Sequence, residues 1–464
     1  MPKPSRLHFP EIIFSFLLLL AAHPLGAQQI KVPPVSRQAL DNGLSLILME
    51  YRKVPVVHLR LVARGGSIDD PPGLDGTAAV AASVMREGTE TRNATEIAKA
   101  IDFVGGTLQA SAGLDYCAVT CEVLKKDLDT GLDLFADIIL HPTFPDDELD
   151  RERKQRLAGL ESDKEDPGTI ASRAFAMEVY GAHPYGRRET KASLQSITRD
   201  ELVAFHQRVF TPANSVLCIV GDFSSTDMVA KLKTAFGQWS GNQKLDHVIP
   251  APTKHDGHAV VLVDKADATQ SQIRIGNTGV DINNPDYFAI TVANTVFGGG
   301  FTSRLVDELR VRRSLTYGAG SGFPANLYGG TYSISTFTKN ATLVDALDVV
   351  LAELKKFREK GATQEECQKA KSYVSGNFAR GLQSPGALAR QMTDIEIYGR
   401  PKDYLEKYIQ NIRKVSVDDV RTAAQKYFLM DDLLFVIVAP ADSAKTSLAK
   451  YGTLQMKSVE DVIQ

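Results

Sequence analysis

Two side chains in the second half of the chain, Arg310 and Tyr317, have the types and the spacing needed to bind a peptide carbonyl group. Arginine carries a permanent positive charge on a planar group with several hydrogen-bond donors, and the tyrosine phenol is a further donor. Together they can hold a carbonyl and stabilise the oxyanion that develops when it is attacked. An exposed helix arginine and a half-buried strand tyrosine would have the same spacing, so the local sequence leaves both interpretations open.

The segment that carries this pair starts with three consecutive glycines, Gly298–Gly300. Three glycines predict a turn, because glycine tolerates backbone angles that are closed to other side chains. Thr302 or Ser303 can cap a helix that begins directly after the turn. Residues 314–317 then lead into small residues that can start a strand. We therefore expect Arg310 on a helix and Tyr317 near the beginning of a strand.

The length and charge of the chain predict a two-domain globular protein. A chain of 464 residues is too long for one ordinary hydrophobic core, which predicts two domains of about 200 residues each. Hydrophobic residues make up 43% of the sequence, and the formal net charge is only −3. Because the chain has no long basic tract, its composition does not indicate a nucleic-acid partner.

The first 27 residues have the pattern of a secretory signal peptide. Lys3 and Arg6 give a positive start, residues 12–22 form a short apolar core, and Leu25-Gly26-Ala27 offers small residues at a cleavage site. We therefore expect an exported protein, most simply in a bacterial periplasm. The alternative is an uncleaved anchor helix, for which the apolar stretch is short.

The remaining sequence repeats the same order of predicted strands and helices twice. Leu59-Arg60-Leu61 corresponds to Ile273-Arg274-Ile275 at an offset of 214 residues, and Phe210 corresponds to Phe428 at an offset of 218. A steady offset of this size indicates two duplicated domains rather than a solenoid. Hairpin strands with grouped helices predict the α+β class, with a largely antiparallel sheet flanked by helices in each domain. We place the domains at residues 28–243 and 259–464, with a linker at 244–258.

Several short motifs occur in an order and spacing typical of one family. They are Leu40-Asp41-Asn42-Gly43-Leu44, Arg64-Gly65-Gly66-Ser67, Glu87-Gly88-Thr89, His183-Pro184-Tyr185-Gly186, Phe210-Thr211-Pro212-Ala213-Asn214 and Ser303-Arg304-Leu305. With them, everything after the signal peptide resembles the insulinase-type zinc peptidases of the M16 family, which includes pitrilysin and the mitochondrial processing peptidase. The resemblance implies two M16-type domains and an activity toward peptides.

The zinc-binding residues of that family are missing from this chain. The family binds zinc with an HxxEH helix and a glutamate from a second helix, because two histidines one turn apart can hold the metal. Counted back from the Glu87-Gly88-Thr89 motif, the HxxEH positions fall on Ala79, Ala82 and Ser83, and the distal glutamate position falls on Gly159. No histidine occurs between residues 64 and 89. The resemblance therefore implies that this chain binds no cofactor itself and that zinc belongs to a partner subunit.

Other residues match the substrate-binding part of the family. Arg310 and Tyr317 match the pair that holds the substrate backbone, and Arg304 with Gly298–Gly300 is expected to shape the substrate loop. The predicted strand from Gly105 to Ala110, which includes Gly106 and Thr107, offers an edge to which an extended peptide can pair. An edge strand with no role in substrate binding is an equal alternative.

The combined pattern predicts the non-zinc subunit of a periplasmic heterodimer, whose HxxEH-containing M16 partner would cut peptides. Arg310 and Tyr317 would complete the partner's site. Two alternatives stay open. The chain can be a structural or assembly protein, a pseudoenzyme derived from an M16 peptidase. It can also be an independent peptidase with an unrecognised metal site, which a zinc assay on the isolated chain would detect.

Overall fold

The computed structural model describes residues 32–464, so the predicted signal peptide lies outside the described residues. Among the described helices, none combines the length and the apolar character needed to cross a membrane. The described chain forms two six-stranded sheets, each with its own set of helices.

The first half of the chain builds a six-stranded sheet. Its strands are β1 (Val35–Ala39), β2 (Ser45–Glu50), β3 (Val56–Arg64), β4 (Thr107–Ala112), β5 (Tyr116–Leu124) and β6 (Ser215–Gly221). Its helices are α1 (Thr77–Val84), α2 (Ala94–Phe103), α3 (Leu128–Leu140), α4 (Asp146–Asp163), α5 (Pro167–Tyr180), α6 (Lys191–Ser196), α7 (Arg199–Val209) and α8 (Ser225–Phe236). The strand order is β1-β2-β6-β3-β5-β4, and only the β2–β6 pair is parallel among these strands.

The second half repeats this plan. Its strands are β7 (Ala259–Asp264), β8 (Gln270–Thr278), β9 (Ala319–Gly322), β10 (Thr331–Lys339), β11 (Leu434–Ala439) and β12 (Thr453–Ser458). Its helices are α9 (Tyr287–Asn294), α10 (Arg304–Val306), α11 (Leu343–Lys360), α12 (Gln364–Arg380), α13 (Pro385–Ile397), α14 (Tyr404–Lys414), α15 (Val417–Tyr427), α16 (Ala441–Leu448) and α17 (Val459–Val462). The strand order is β12-β7-β11-β8-β10-β9.

The two sheets have the same arrangement of their five central and outer strands, from β2 to β4 and from β7 to β9. The predicted correspondence of Arg60 with Arg274 is confirmed, since both lie on the fourth strand of their sheets. Phe210 and Phe428 both follow the C-terminus of a helix, with nearly the same backbone angles (φ −87°, ψ 80° and φ −88°, ψ 85°). The predicted α+β class with two similar domains is confirmed. The domains differ at the outermost strand, because β1 runs antiparallel to β2 whereas β12 runs parallel to β7.

Each sheet is covered on one face by a helix from the other half of the chain. Helix α5 packs on β8 and β11, and α13 packs on β3 and β6. Along β6, Val216, Cys218 and Val220 face α13, while Leu217 and Ile219 face the helices of their own domain. Both faces of the central strands are therefore buried, which explains their continuous apolar sequence.

The local sequence signals account for the ends of several helices. Asn93 and Glu96 form a capping box at the start of α2, and Ser416 with Asp419 forms one at the start of α15. The hairpin between β1 and β2 contains Gly43 at φ +92°, a conformation that favours glycine. These local contacts fix where α2 and α15 begin and where β1 turns into β2.

Replacing Leu388 with alanine tests the exchanged helix. Leu388 lies on α13, is 2% exposed and packs against the first sheet. We expect the substitution to lower the free energy of unfolding by about 2–5 kcal/mol, because it leaves a cavity in a core shared by both domains. Urea unfolding followed by circular dichroism should show a single shifted transition.

The matched control for this variant is Val248→Ala, since Val248 is 98% exposed. We expect it to change the free energy of unfolding by less than about 0.5 kcal/mol. Two separate transitions, of which Leu388→Ala moves only one, would show that the helix exchange does not couple the domains.

Candidate substrate-binding site and degenerate metal position

The four positions at which the family resemblance places zinc ligands lie on two packed helices. Ala79, Ala82 and Ser83 are on α1, and Gly159 is on α4, which contacts α1. Ala82 is buried, whereas Gly159 is exposed and a Cβ atom there would have open space around it. The Ser83 hydroxyl is the sole polar side-chain group that these four positions provide.

An arginine that the sequence analysis did not single out reaches this place. The guanidinium of Arg156 on α4 donates to Ser83 Oγ at 3.2 Å. The same guanidinium binds Glu152 Oε1 at 2.7 Å and Glu189 Oε2 at 2.9 Å. It therefore joins α4 to α1 and holds two carboxylates in an internal ion-pair network.

The residues around this network do not fit zinc. A zinc site needs three or four ligands, which are neutral histidine nitrogens, thiolates or carboxylates. The Arg156 guanidinium, 3.2 Å from Ser83 Oγ, would also repel a zinc ion bound at this position. In residues 32–464, no group of three or more His, Cys, Asp or Glu side chains is arranged to hold a metal ion. The sequence signal for the network was the spacing of Arg156, four residues after Glu152 and three before Gly159.

The segment with Arg310 is helical but not α-helical throughout. Helix α10 is followed by a π-helical stretch, Asp307–Arg312, and a second π-helical stretch, Thr295–Gly299, follows α9. Such stretches are rare and are frequent at functional sites. The backbone then reverses at Ser314, which has φ +54°. The amide of Leu315 donates to the carbonyl of Leu309 at 2.8 Å, and this bond closes the loop between Arg310 and Tyr317.

Hydrogen bonds to β10 fix the backbone around Tyr317. Thr338 donates to the Leu315 carbonyl at 2.7 Å, and Thr336 donates to the Gly318 carbonyl at 2.9 Å. Thr316 is buried between them and bonds to Gly318. The backbone of this segment is therefore rigid, while the Tyr317 side chain is 82% exposed.

Both side chains of the pair are available to a ligand. Within the described part of the chain, the Tyr317 hydroxyl and the Arg310 guanidinium make no hydrogen bond or ion pair with another residue. The Arg310 guanidinium carbon lies 5.0 Å from the centre of the Phe301 ring, and Phe301 is 72% exposed. This cation–π contact holds the arginine against the surface without consuming its hydrogen-bond donors.

The three glycines before this segment are needed for close packing, not for unusual backbone angles. None of the three has a positive φ angle, and Gly300 is extended at φ −130°. The predicted glycine turn is therefore the end of a π-helical stretch, and it does not use the backbone angles that glycine alone tolerates. A Cβ atom on Gly298 would lie 2.4 Å from Ser321 Oγ, so only glycine allows the π-helical stretch to approach β9.

Arg304 is used inside the fold. Its Nε and Nη2 atoms bind the two carboxylate oxygens of Glu366 at 2.7 and 2.8 Å, and Nη2 also donates to the Gly361 carbonyl at 2.9 Å. Burial by itself raises the pKa of Glu366, but the Arg304 fork and the Thr363 amide outweigh this and lower the pKa to about 2. Arg304 thus anchors the start of the Arg310 segment to α12 rather than presenting its charge to solvent.

Gly106 and Thr107 lie at the edge of the first sheet. In the described chain β4 pairs only with β5, so its other edge is open. Thr107 is exposed, and a Cβ atom on Gly106 would collide with Ile101 and Val123. Arg86 donates to the edge carbonyl of Leu108 at 3.2 Å, so one backbone acceptor of this edge is already engaged.

Comparison with known proteins identifies the family. The model described as "Insulinase (Peptidase family M16)" matches residues 46–191, and the model described as "Peptidase M16 inactive domain" matches residues 196–374. The chain belongs to the M16 peptidase family. Its fold agrees, since a peptidase M16 inactive domain from Pseudomonas fluorescens superimposes with a TM-score of 0.82 at 28% identity, over 88% of this chain and 98% of that one.

Other relatives of this M16 chain are named as proteases. An uncharacterized zinc protease of Mycobacterium leprae is 28% identical over 84% of this chain and 89% of its own length. One of Streptomyces coelicolor is 26% identical over 84% and 86%. A protease from Helicobacter pylori shares the fold, with a TM-score of 0.78 at 22% identity over 88% of this chain and all of that one. Its relatives thus include both an inactive domain and zinc proteases. Whether this M16 chain can bind zinc therefore depends on its own residues at the metal position.

Restoring the family's zinc ligands tests the role of Arg156. The variant Ala79→His/Ala82→Glu/Ser83→His/Gly159→Glu provides the missing ligands but keeps the guanidinium. We expect it to bind zinc at least about tenfold more weakly than the same variant with Arg156→Leu added, because the fixed positive charge opposes the ion. Equilibrium dialysis followed by metal analysis measures both.

Melting temperatures of both variants show whether they are folded. Equal zinc affinity in the two variants would mean that the arginine does not block the position.

The Arg304–Glu366 pair predicts a pH-dependent contribution to stability. The folded pKa of Glu366 is about 2, below the value of about 4.3 expected for an unfolded chain. The pair therefore stabilises the fold above the unfolded value, and this contribution is lost as the pH falls through the folded value. We expect Arg304→Met to lower the free energy of unfolding by about 2 kcal/mol near neutral pH, and by less at acidic pH.

Urea unfolding of wild type and Arg304→Met at several pH values measures this difference. Lys369→Met is the control, because Lys369 forms an exposed pair with Glu365 at 2.7 Å on the same helix. A difference between wild type and Arg304→Met that stays constant with pH would contradict the role assigned to the ion pair.

Proposed function

We propose that this chain is the non-zinc subunit of an exported M16 heterodimer that hydrolyses peptides. Its partner would be an M16 subunit with an intact HxxEH motif, which would hold the zinc and supply the hydrolytic chemistry. One contrast carries the proposal. The metal position is closed by an internal ion pair around Arg156, whereas Arg310 and Tyr317 are held on a rigid backbone with their donors free.

In this proposal the pair binds the carbonyl of the bond that is cut. The Tyr317 hydroxyl donates a hydrogen bond to the carbonyl oxygen, and the Arg310 charge stabilises the negative charge that develops on it. Donors that are fixed before the reaction stabilise the transition state more than flexible donors, because they need not reorganise. The bonds from Thr336 and Thr338 fix the backbone that carries Tyr317, and the bound peptide would complete the positioning of its exposed side chain.

The supporting elements have indirect roles. Gly298–Gly300 and Arg304 would shape the loop that faces the substrate, since the glycines pack on β9 and Arg304 fixes the loop to α12. The open edge of β4, which begins at Thr107 directly after Gly106, would pair with an extended peptide. The peptide would use the backbone groups of this edge other than the Leu108 carbonyl, which Arg86 already occupies. The signal-peptide pattern in residues 1–27 supports export to the periplasm.

Mixing the two subunits tests the proposal. We expect peptide hydrolysis when wild-type chain and its HxxEH partner are combined, and none from either protein alone. Arg310→Ala/Tyr317→Phe should lower kcat of the mixture by about 10²–10³-fold, as loss of oxyanion donors does in other enzymes. Arg199→Ala/Tyr373→Phe is the matched control, because both side chains are exposed and lie on other helices.

Two outcomes would contradict the proposal. Equal activity with the Arg310/Tyr317 variant and the control would favour a structural or assembly role. Hydrolysis by this chain alone would mean that it holds an active site of its own. Size-exclusion chromatography of the mixtures separates loss of chemistry from loss of assembly, since both variants should still bind the partner.

A further inference from the structure

A cleft between the two domains is lined by three arginines from separate elements. Arg173 lies on α5, Arg188 follows the short helical turn at residues 184–186, and Arg274 lies on β8. The cleft has a volume of about 460 Å³ and opens to solvent. Since α5 covers the second sheet, residues from both halves of the chain meet there.

The three guanidinium groups bind neutral acceptors. Their partners are backbone carbonyls and one hydroxyl: Val462 and Glu189 for Arg173, Tyr185 and Arg187 for Arg188, and Gly168, Ile273 and Ser172 Oγ for Arg274. In the part of the chain that the structure describes, no carboxylate lies within 4.0 Å of any of the three. Each arginine also retains N–H groups that these bonds do not use.

The positive charge in this cleft is only partly compensated. Burial lowers the pKa of Arg173, Arg188 and Arg274, and the charge of Arg173 lowers the pKa of Arg188 further. All three stay charged, because arginine does not deprotonate in proteins. Asp163 and Asp166 also line the cleft. Asp166 caps α5 through the Gly168 amide at 2.8 Å. Among the residues that line the cleft, three arginines face two aspartates, and the nearby carboxylate of Glu189, which also acts on Arg173, is paired with Arg156.

The equivalent position in the first domain is closed. Arg60, the counterpart of Arg274, is 8% exposed and donates to Thr393 Oγ1 on α13 at 3.0 Å. Both arginines thus reach the helix that the other domain supplies. Only in the second domain does the arginine meet two further arginines and open space, so the cleft is not a general consequence of the duplicated fold.

The cleft borders the sheet whose edge strand β9 directly follows the segment with Arg310 and Tyr317. In the strand register, Arg274 is opposite Ser335 on β10, and Ser335 is opposite Gly320 on β9. Tyr317 precedes Gly320 by three residues. Two strand spacings separate Arg274 from Gly320 by about 10 Å, and the three residues back to Tyr317 bring the backbone separation to at most about 14 Å, which about four residues of extended peptide would span. Ser335 and Gly320 are half-buried rather than covered, so the path between them is accessible.

We propose that Arg173, Arg188 and Arg274 bind a carboxylate of the peptide substrate, about four residues from the bond that is cut. The proposal deepens the proposed function and rests on it for the position of the cut bond. Guanidinium groups match carboxylates with paired hydrogen bonds, and the carboxylate can come from an acidic side chain or from the C-terminus of the peptide. The substrate class would then be acidic peptides or peptides of limited length.

Binding to the isolated chain tests this inference without the partner. The probes are fluorescent, N-acetylated hexapeptides of one sequence: one aspartate with an amidated C-terminus, the asparagine counterpart with the same amide, and the asparagine peptide with a free C-terminal carboxylate. Fluorescence anisotropy should show at least about tenfold tighter binding of a carboxylate peptide than of the neutral peptide, as expected for charge-assisted hydrogen bonds. The carboxylate that binds identifies the source.

Variants locate the binding. Arg274→Gln and Arg188→Gln should each abolish most of the preference, whereas Arg274→Lys should keep part of it because the charge remains without the fork. Arg199→Gln, an exposed arginine whose Nε donates to the Thr143 carbonyl, should bind like wild type. Melting temperatures confirm that each variant is folded, and two variants at separate elements protect the test against misfolding of one.

Three results would overturn the inference. The first is equal affinity for charged and neutral peptides, and the second is an equal loss of affinity in Arg199→Gln and in the cleft variants. The third is a rise in melting temperature with inorganic phosphate while no peptide binds, which would indicate a small-anion site. Because the partner is absent, these results do not depend on hydrolysis. A failed mixing experiment with intact carboxylate binding would instead reject the proposed function alone.

Discussion

The exchange of α5 and α13 between the two sheets is the packing interaction on which the remaining structure depends. A six-stranded sheet whose central strands are apolar on both faces needs cover on both sides, and each domain's own helices cover only one. Val216, Cys218 and Val220 would be exposed without α13, as would Leu434 and Val436 without α5. Each domain therefore completes the core of the other, and the relative position of the two sheets follows from hydrophobic burial.

This constraint also explains how a duplicated chain has acquired unequal halves. Arg60 and Arg274 hold the same place, and both bond to the incoming helix. The first is sealed by its helix, whereas the second borders open space beside Arg173 and Arg188. The covering helices must be kept for stability, but the polar residues at their margins are free to differ. The structural differences between the two halves are accordingly found at these margins and at the outer strands, not in the shared core.

Much of the fold could be predicted from the sequence because the signals were local or periodic. The capping box at Asn93 and the hairpin at Gly43 depend on residues a few positions apart. The correspondence of Arg60 with Arg274 was visible from the repeat alone. The helix exchange could not be predicted, because an apolar strand does not reveal which helix covers it. The π-helical form of the Arg310 segment and the packing role of Gly298 were also missed, since both arise from contact with β9.

The distribution of arginines separates the parts of the chain that maintain structure from those that can bind a ligand. Arg156 and Arg304 are each matched by carboxylates at less than 3 Å, and each joins two helices. An arginine so matched contributes little charge to its surroundings. Among the described residues, Arg310 contacts the Phe301 ring and pairs with no carboxylate, and the arginines of the cleft hydrogen-bond to neutral acceptors. A protein gains nothing in stability by leaving such charges uncompensated in partly buried places, since desolvation opposes them. Their persistence around one sheet, together with the exposed Tyr317 on its fixed backbone, is expected if the missing negative charge is supplied by a bound peptide: a developing oxyanion at one end and a carboxylate at the other.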